Sequence, residues 1–385
     1  MRSILIVLDG VGCGSLPDAA FYGDEGANTI AHVAKAVGGL SLPHLQEWGL
    51  GHITPILGVA PVDKPLALYG KMAEKSPGKD TITGHWELAG MRLHQPFAVY
   101  PEGFPVELIH MLETGFDTKI LANCAASGTE IIERFGQEHQ ATGFPIVYTS
   151  ADSVLQIAAH MDTVPLETLY KWCEIARKVC RGKYEIARII ARPFMGVAGA
   201  YQRTADRHDY PLSPIGTHLL THFQEQSIPV FSVGKIEDIY VNEGIYRGYK
   251  TKSNADGLER TMQILRNESQ ECFLFVNLVE FDSLWGHRNN PAGFAKALQD
   301  FDETLPLLQN LLREDDMLII TADHGTDPTW PGTDHTREYV PLLIYRPSQI
   351  GGALGTRSSF SDVAATLAHR HGVKIPYHGE RIKLS

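Results

Sequence analysis

The chain has 385 residues, 43% of them hydrophobic and 21% charged, which is the composition of an ordinary soluble globular protein. Its length exceeds what one typical core holds, so two domains are expected. The formal net charge of −11 argues against nucleic acid or an anionic membrane surface as the main partner. An anionic substrate remains compatible with this charge, because bound metal ions reverse the local potential.

The cysteines and the apolar runs indicate a reducing compartment. Five cysteines are an odd number, and no CxxC pair occurs, which argues against a disulfide framework and a cysteine zinc site. No apolar stretch approaches the roughly 18 residues that a membrane span needs, and the N-terminus shows no signal-peptide pattern. We therefore expect a cytoplasmic protein without a membrane partner.

The first predicted element is a strand from Ser3 to Leu8, which stops at Asp9 and is followed by glycines at 10, 12 and 14. The turn is superficially like a dinucleotide-binding loop, but the GxGxxG spacing is absent and no helix follows at once. A carboxylate at a strand end, beside thin glycine backbone, fits a metal ligand better. Residues 27–37 are predicted to form the first crossover helix.

Residues 78–90, GKDTITGHWELAG, place Thr81 and Thr83 before a helical pattern. A threonine hydroxyl near two metal ions can lose its proton and attack phosphorus. The alternative is that Thr83 is the N-cap of a helix. Both interpretations can hold, since the N-terminus of a helix also attracts phosphate.

Residues 97–213 differ in character and are predicted to be an inserted, smaller α+β domain. Helical patterns cover 105–114, 129–136 and 166–180, and short strands are expected at 118–122 and 146–149. Arginines and a histidine on loop-like stretches can bind phosphate, because the guanidinium fork fits two oxygens; solvated surface arginines are the alternative. These residues are Arg188, Arg192, Arg203, Arg207 and His208.

After residue 213 an alternation of helices and strands returns, so residues 1–96 and 214–385 are predicted to form one doubly wound, mainly parallel α/β core. The expected helices are 215–226, 256–268, 291–312 and 360–371, and the expected strands are Pro229 to Val233 and Cys272 to Val279. Asp282 and His287 follow the second of these strands.

The segment 316–345 contains two apolar runs joined by a polar loop. Met317 to Thr321 stops at Asp323-His324, and the loop carries His335 before the run Val340 to Tyr345. Such runs are typical of a parallel sheet that is covered on both faces. Open α/β sheets place their chemistry at the carboxyl ends of strands, which is where Asp323 and His324 are expected.

The candidate ligands at strand ends therefore form two sets of three. Carboxylate oxygens mixed with imidazole nitrogens suit Zn²⁺, Mn²⁺ or Fe better than Ca²⁺ or Mg²⁺. Two metal ions about 3.5–4 Å apart, with a hydroxyl between them, suit phosphoryl or sulfuryl transfer. The ligands are Asp9, Asp282, His287, Asp323, His324 and His335, and the hydroxyl is that of Thr81.

This order of residues resembles the metal core of the alkaline phosphatase superfamily, and the chain is most similar to phosphopentomutases of the binuclear-metal type. The similar stretches cover nearly the whole length, and the most specific are GKDTITGHWE at 78–87 and TADHGTDPTWPGTDHTREYVP at 321–341. The spacing Thr81-x-x-Gly84-His85 also matches the nucleophile-x-x-Gly-His spacing of the related cofactor-independent phosphoglycerate mutases.

The resemblance implies roles for individual residues. One metal ion would be held by Asp9, Asp323, His324 and the Thr81 oxygen, and the other by Asp282, His287 and His335. Manganese is the usual ion of the family, so two Mn²⁺ ions are expected, and Thr81 would be the phosphorylated residue. Ser150, Asp152, Arg192, Arg207 and His208 would hold the sugar and its distal phosphate, while Lys235 would touch a phosphate from the core side.

The activity implied is interconversion of ribose or 2-deoxyribose 1-phosphate with the 5-phosphate, through a phosphothreonine enzyme and a bisphosphorylated sugar. A sugar bisphosphate such as glucose 1,6-bisphosphate would activate the enzyme, and small pentose phosphates would be its partners, with no obligate protein partner. The main alternative is a phosphate or phosphonate hydrolase on the same metal core. A phosphoglycerate mutase and a non-catalytic metal-stabilised binding protein are further alternatives.

Overall fold

The computed structural model describes residues 1–150, 153–376 and 379–384. The chain divides into two compact units. The larger unit consists of Met1–Gln95 and Pro214–Ser385, and the smaller unit of Pro96–Ser213. Each unit has a sheet of its own.

Strands and helices alternate along the described part of the chain. The strands are β1 (Arg2–Leu8), β2 (Leu68–Met72), β3 (Leu121–Ala125), β4 (Ile146–Thr149), β5 (Val154–His160), β6 (Arg188–Met195), β7 (Gln202–Arg203), β8 (His208–Pro211), β9 (Val230–Val233), β10 (Arg247–Tyr249), β11 (Cys272–Leu278), β12 (Met317–Thr321), β13 (Val340–Tyr345) and β14 (Gly352–Arg357).

The helices differ widely in length. They are α1 (Thr29–Ala36), α2 (Pro43–Glu47), α3 (Thr81–Leu88), α4 (Val106–Phe116), α5 (Gly128–Thr142), α6 (Leu166–Val179), α7 (Leu219–Glu225), α8 (Ile236–Ile239), α9 (Asn254–Asn267), α10 (Pro291–Gln309) and α11 (Ser361–Arg370). Short 3₁₀ helices cover Ala19–Tyr22, Leu50–His52 and Gly182–Tyr184, and Phe281–Gly286 is π-helical. Across the described residues, none of the helices has the length and apolarity needed to cross a membrane.

The sheet of the larger unit has the order β10-β9-β11-β1-β12-β13-β2-β14. Strands β10, β9, β11, β1 and β12 run parallel to one another. The residues of β1, β11 and β12 are buried throughout, because isoleucine, leucine, valine and phenylalanine dominate these runs. The predicted mainly parallel α/β core is confirmed.

Strand β13 is an exception to the parallel arrangement. It pairs antiparallel with β12 on one side and with β2 on the other. The loop between β12 and β13 contains no helix, and a parallel connection needs a crossover, usually a helix. Because β13 runs in the opposite direction, this loop begins and ends at the same edge of the sheet, the edge where β1 and β11 also end.

The smaller unit contains a mixed sheet in the order β3-β4-β5-β6-β7, and β8 also pairs with β6. The predicted loop-like character of Arg188, Arg192, Arg203 and His208 is wrong. Arg188 and Arg192 lie on β6, Arg203 on β7 and His208 on β8. The arginines and Pro193 interrupt the apolar run of β6, and this conceals its strand pattern. Helices α4 and α6 pack with β5 and β6 around one apolar core.

Arg2 anchors the opposite, amino-terminal ends of the central strands. Its side chain is 1% exposed, and Nε donates a hydrogen bond of 2.9 Å to Asp316, which directly precedes β12. The guanidinium also donates to the backbone carbonyls of Leu265, Glu268 and Leu311. Burial opposes ionisation of the Asp316 carboxyl, but the hydrogen bonds from Arg2 and Arg313 outweigh it and hold its pKa below the ordinary value.

Replacing Arg2 with Met is expected to destabilise the larger unit, because it removes the charged partner of the buried Asp316 carboxylate and the donor to three backbone carbonyls. Breaking a buried pair costs about 3–5 kcal/mol, so Tm in thermal unfolding should fall by roughly 5 °C or more. Lys296→Met is the control, since the Lys296–Asp300 pair is more than half exposed and an exposed ion pair contributes little to stability. Equal shifts for the two variants would contradict the anchoring role.

Candidate metal centre

Three adjacent strands deliver acidic side chains to one edge of the larger sheet. Asp9 follows β1, Asp282 lies in the π-helical turn after β11, and Asp323 follows β12. Strands β11 and β12 flank β1 on either side, so the parallel register brings the three strand ends together. All three carboxylates are buried, with relative exposures of 0–3%.

Two overlapping groups of residues have the spacing of metal ligands. Asp282, His287 and His335 form one group, and Asp9, Asp282 and His324 form the other. Within each group the ligand atoms lie within 4.8 Å of one another. Asp282 therefore lies between the two groups, whereas the sequence analysis assigned it to one metal ion.

The histidine rings are oriented so that Nε2 faces the carboxylates. Nε2 of His287 and of His335 lie 3.2 and 3.3 Å from Asp282, and Nε2 of His324 lies 3.4 Å from Asp9. Nδ1 of His287 donates to the Thr333 carbonyl, at 2.6 Å, and Nδ1 of His324 to that of Gly325, at 3.1 Å. A carbonyl partner on Nδ1 leaves the Nε2 lone pair for a metal ion, which is the usual arrangement of metal-binding histidines.

Asp323 lies beside the second group without belonging to it. Its Oδ2 is 3.3 Å from His324 Nε2 and 3.0 Å from His85 Nδ1, and its Oδ1 accepts a hydrogen bond of 3.1 Å from the Gly10 amide. In the expected set of Asp9, Asp323 and His324, the His324 ring therefore contacts both carboxylates.

Two further side chains orient the carboxylates. The Asn277 amide donates to Asp9 Oδ2 at 3.0 Å, and the Thr326 hydroxyl donates to Asp282 Oδ1 at 2.9 Å. Gly10 has φ of 78°, and a Cβ there would lie 2.4 Å from Thr326 Oγ1. A glycine after Asp9 is therefore required both by the backbone conformation and by the close approach of Thr326.

The electrostatics of the cluster favour bound cations. Burial opposes ionisation of Asp282 and Asp323, but facing histidines outweigh it, holding the pKa of Asp282 well below the ordinary value and lowering that of Asp323 to about 2. Burial likewise opposes a charged His324, yet Asp323 and Asp9 raise its pKa well above the ordinary value. Asp282 and Asp323 are therefore ionised at neutral pH, and divalent ions bound in place of the His324 proton would balance their charge.

Unpaired atoms point to the same conclusion. Among the residues that the structure describes, Asp9 Oδ1, Asp323 Oδ2 and His335 Nε2 are buried without a hydrogen-bond partner. Buried polar atoms are almost always paired in native proteins, and an ion is one accepted explanation when they are not. Oxygen and imidazole donors of this kind fit a transition-metal ion such as Mn²⁺ or Zn²⁺.

Thr81 stands next to this cluster as the first residue of α3. Its Oγ1 lies 3.2 Å from His324 Nε2. The interpretation of Thr83 as N-cap is wrong, because Asp80 caps the helix by accepting from the amides of Ile82 and Thr83. Thr83 is the N3 residue of a capping box, and its hydroxyl donates to the Asp80 carbonyl.

His85 is a candidate residue that the sequence analysis quoted in a motif but did not assign. It lies one turn after Thr81, and Nδ1 is 2.9 Å from the Thr81 carbonyl and 3.0 Å from Asp323 Oδ2. Its ring stacks on Phe275 of β11. The i to i+4 spacing of Thr81 and His85 on a helix was the signal in the sequence that placed them on one face.

The remaining predicted residues are distributed over both units. Lys235 follows β9 and lies half-buried at the same edge of the larger sheet as Asp9. Ser150 follows β4, and Asp152 lies outside the described residues. Arg207 forms a two-pronged hydrogen bond with Asp209, 2.7 Å for each prong, and His208 packs against Tyr210.

Positive charge accumulates around Tyr148 in the smaller unit. Burial raises the pKa of the Tyr148 phenol. The positive charges of Arg192, Arg203 and Arg207 oppose this shift, which indicates that all three are near the ring. Burial and the neighbouring Arg207 lower the pKa of Arg192. Arg203, predicted as a candidate phosphate-binding residue but not among the sugar contacts that the resemblance implies, lies near the amino end of α5, where a Cβ on Gly128 would be 2.2 Å from its Nη2.

Comparison with solved structures supports the fold. A phosphoglycerate mutase from Leishmania mexicana aligns with 100% of this chain and 98% of its own, with a TM-score of 0.52 and 12% identity. A protein from Pyrococcus horikoshii aligns with 98% of this chain and 99% of its own, with a TM-score of 0.51 and 14% identity. At these identities the likeness concerns the fold alone.

Comparison of sequences goes further. The family model of the Metalloenzyme superfamily matches residues 1–375. A phosphopentomutase from Carboxydothermus hydrogenoformans is 55% identical, with 97% of this chain and 96% of the relative covered. Another from Dictyoglomus thermophilum is 53% identical, with 98% and 97% covered. The resemblance inferred from the motifs is confirmed, and this chain belongs to the phosphopentomutase family within the Metalloenzyme superfamily.

Proposed function

We propose that this chain interconverts ribose 1-phosphate and ribose 5-phosphate, and their 2-deoxyribose counterparts, by carrying a phosphoryl group on Thr81. The observation that carries the proposal is the position of the Thr81 hydroxyl, 3.2 Å from His324 Nε2 beside the acidic cluster. The family membership supplies the reaction class, an intramolecular phosphoryl transfer. Small pentose phosphates are the corresponding substrates.

The surroundings of the two threonines support the choice of Thr81. Thr83 is fully buried and its hydroxyl is bonded to Asp80, so it is committed to the helix cap. Thr81 is only partly buried and lies at the first position of α3. A phosphate on Thr81 would be near the positive end of the helix dipole, which stabilises negative charge.

We assign two divalent metal ions, expected to be Mn²⁺, to the residues around Asp282. Asp282, His287 and His335 would hold one ion, and Asp9, Asp323, His324 and the Thr81 oxygen the other, with Asp282 near both. Ions bound there would supply positive charge that stabilises the attacking and leaving oxygens of phosphoryl transfer. The convergent, unpaired ligand atoms support this assignment.

The reaction proceeds in two transfers. Phospho-Thr81 donates its phosphoryl group to the free hydroxyl of ribose 5-phosphate: the phosphorus bond to Thr81 Oγ1 breaks, a bond to the sugar oxygen forms, and the hydroxyl proton passes to the threonine. The resulting bisphosphorylated ribose then returns its other phosphoryl group to Thr81, and ribose 1-phosphate leaves. A sugar bisphosphate such as glucose 1,6-bisphosphate would phosphorylate an unmodified Thr81 by the same exchange.

The residues of the smaller unit support binding of an anionic sugar. Arg192, Arg203 and Arg207 concentrate positive charge around Tyr148, and the guanidinium fork suits phosphate oxygens. We assign the distal phosphate to Arg192 and Arg207, with Ser150, Asp152 and His208 as sugar contacts. Lys235, at the edge of the larger sheet, is assigned to a phosphate.

The hydrolase alternative is less supported, because the relatives that match nearly the whole chain carry the name phosphopentomutase. The cytoplasmic location and the lack of a protein partner stay predictions.

The first test distinguishes isomerisation from hydrolysis. Purified protein is incubated with Mn²⁺, ribose 1-phosphate and a trace of glucose 1,6-bisphosphate, and the products are followed by phosphorus NMR. Ribose 5-phosphate without free phosphate is expected, because the group returns from Thr81 to the sugar. Free phosphate as the main product would identify a hydrolase instead.

Replacing Thr81 with Ala is expected to abolish turnover and to remove the phosphorylated form seen by intact-protein mass spectrometry. Thr83→Ala is the matched control, since it removes the neighbouring hydroxyl. That variant loses part of a capping box, which costs about 1 kcal/mol of stability, but it should still become phosphorylated. Mutase activity retained by Thr81→Ala, or a phosphoryl group still present on it, would overturn the assignment of the nucleophile.

Removing the metal ions with a chelator should abolish activity, and Mn²⁺ should restore it. Metal analysis of the restored protein is expected to find about two ions per chain.

Asp282→Asn should lose both ions, because Asp282 belongs to both ligand groups, whereas His287→Ala should lose only one. Full metal content in Asp282→Asn would contradict the shared role of this carboxylate.

A further inference from the structure

We propose that Arg337 is a positioning residue that holds the segment before Thr81 at the distance that phosphoryl transfer requires. The proposal rests on the proposed function, because it takes Thr81 as the residue that carries the phosphoryl group. Arg337 lies two residues after His335, and its side chain is buried, with 3% relative exposure.

The guanidinium of Arg337 binds the backbone that leads to Thr81. Nη1 donates to the carbonyls of Ser76, at 2.9 Å, and of Gly78, and Nη2 donates to the carbonyl of Glu74 at 3.1 Å. Three carbonyls within five residues are thus fixed by one side chain. Gly78 is three residues before Thr81, so this segment sets where α3 begins.

Carboxylates hold the guanidinium itself in place. Nη1 lies 2.6 Å from a carboxylate oxygen of Glu74, which is buried to a similar extent. Nη2 lies 3.0 Å from Asp18, whose side chain is 42% exposed, and Nε donates to the same carboxylate. With partners on both sides, the planar fork has a single orientation.

A second connection joins the same two segments. The backbone amide of Arg337 donates to Asp24 Oδ2 at 2.9 Å, and the ammonium of Lys79 donates to the same oxygen at 3.0 Å. Lys79 also lies 3.1 Å from Asp334. The residues on either side of His335 are therefore linked to the segment that precedes Thr81.

The loop that carries Arg337 is also bonded to the segment after β12 that contains His324. Gly325 and Thr336 exchange two backbone hydrogen bonds, of 3.2 and 2.7 Å. Gly325 follows His324, and Thr336 lies between His335 and Arg337. Arg337 thus couples the position of the Thr81 hydroxyl to that of His324 and His335, although it is not itself a ligand or a nucleophile. A displacement of about 1 Å in such an arrangement can reduce a rate by roughly 100-fold.

Arg2 provides a matched control in the same unit. It is also buried, also pairs with a carboxylate and also donates to three backbone carbonyls. It differs in place, since it begins β1 and therefore lies at the edge of the sheet opposite to Asp9. Lysine at either position retains the charge but cannot reproduce a planar fork, so both variants lose comparable contacts.

The experiment measures phosphorylation of Thr81 in wild type, Arg337→Lys and Arg2→Lys. Each metal-loaded protein is mixed with glucose 1,6-bisphosphate, and the single-turnover rate of phosphoryl uptake is followed by mass spectrometry. Steady-state kcat and KM for ribose 5-phosphate, Tm and metal content are recorded for the same samples. If the wild-type protein takes up no phosphoryl group on Thr81, the proposed function itself fails.

We expect Arg337→Lys to slow phosphoryl uptake by about 30-fold or more, to lower kcat correspondingly, and to leave KM within about 3-fold. Arg2→Lys should lower Tm by a similar amount but keep uptake within about 3-fold of wild type. Equal rates in the two variants, with the wild type phosphorylated, would show that Arg337 is merely structural and would overturn the proposal.

Asp18→Asn provides a milder test in case Arg337→Lys does not fold. Asp18 is partly exposed, and its loss frees one side of the guanidinium while all three carbonyl contacts remain. Phosphoryl uptake should fall by about 5-fold or more, beyond the range allowed for Arg2→Lys, and metal content should not change. An unchanged uptake rate in Asp18→Asn would also overturn the proposal.

Discussion

The larger unit is arranged around the mutual repulsion of three buried carboxylates. Asp9, Asp282 and Asp323 lie at the ends of three adjacent strands and are almost inaccessible to water. Such a group of charges is stable only when cations or hydrogen bonds compensate it. Imidazoles face the carboxylates directly, and Asn277, Thr326 and the Gly10 amide take up remaining oxygens. The residues of the site therefore also stabilise the central strands, because they compensate the charge of the carboxylates at the strand ends.

Much of this arrangement was predictable from the sequence, for identifiable reasons. Long apolar runs that stop at an acidic residue mark the carboxyl ends of buried strands, and β1, β11 and β12 all show this pattern. Parallel neighbours bring such ends together whatever the lengths of the connections. That is why residues separated by more than 270 positions, such as Asp9 and Asp282, were expected in one site.

Other features depend on three-dimensional packing and left no local signal. The reversed direction of β13 follows from a connection without a helix, which an apolar run alone does not reveal. Asp282 belongs to both ligand groups because it lies in the π-helical turn after β11, beside the end of β1, whereas the family resemblance assigned it to one metal ion. The strand character of Arg192 was hidden by its charge, and Asp80 was overlooked as a cap beside two threonines.

The pairing of β1 also determines the order in which the chain can fold. β1 is made first, but its neighbours β11 and β12 begin at residues 272 and 317. The central strands of this sheet therefore cannot all pair until most of the chain has been synthesised. The smaller unit is continuous in sequence and contains its own sheet. It can therefore form before β11 and β12 are available to pair with β1. Pairings of such long sequence separation slow folding, and an unpaired apolar strand invites aggregation or chaperone binding during synthesis.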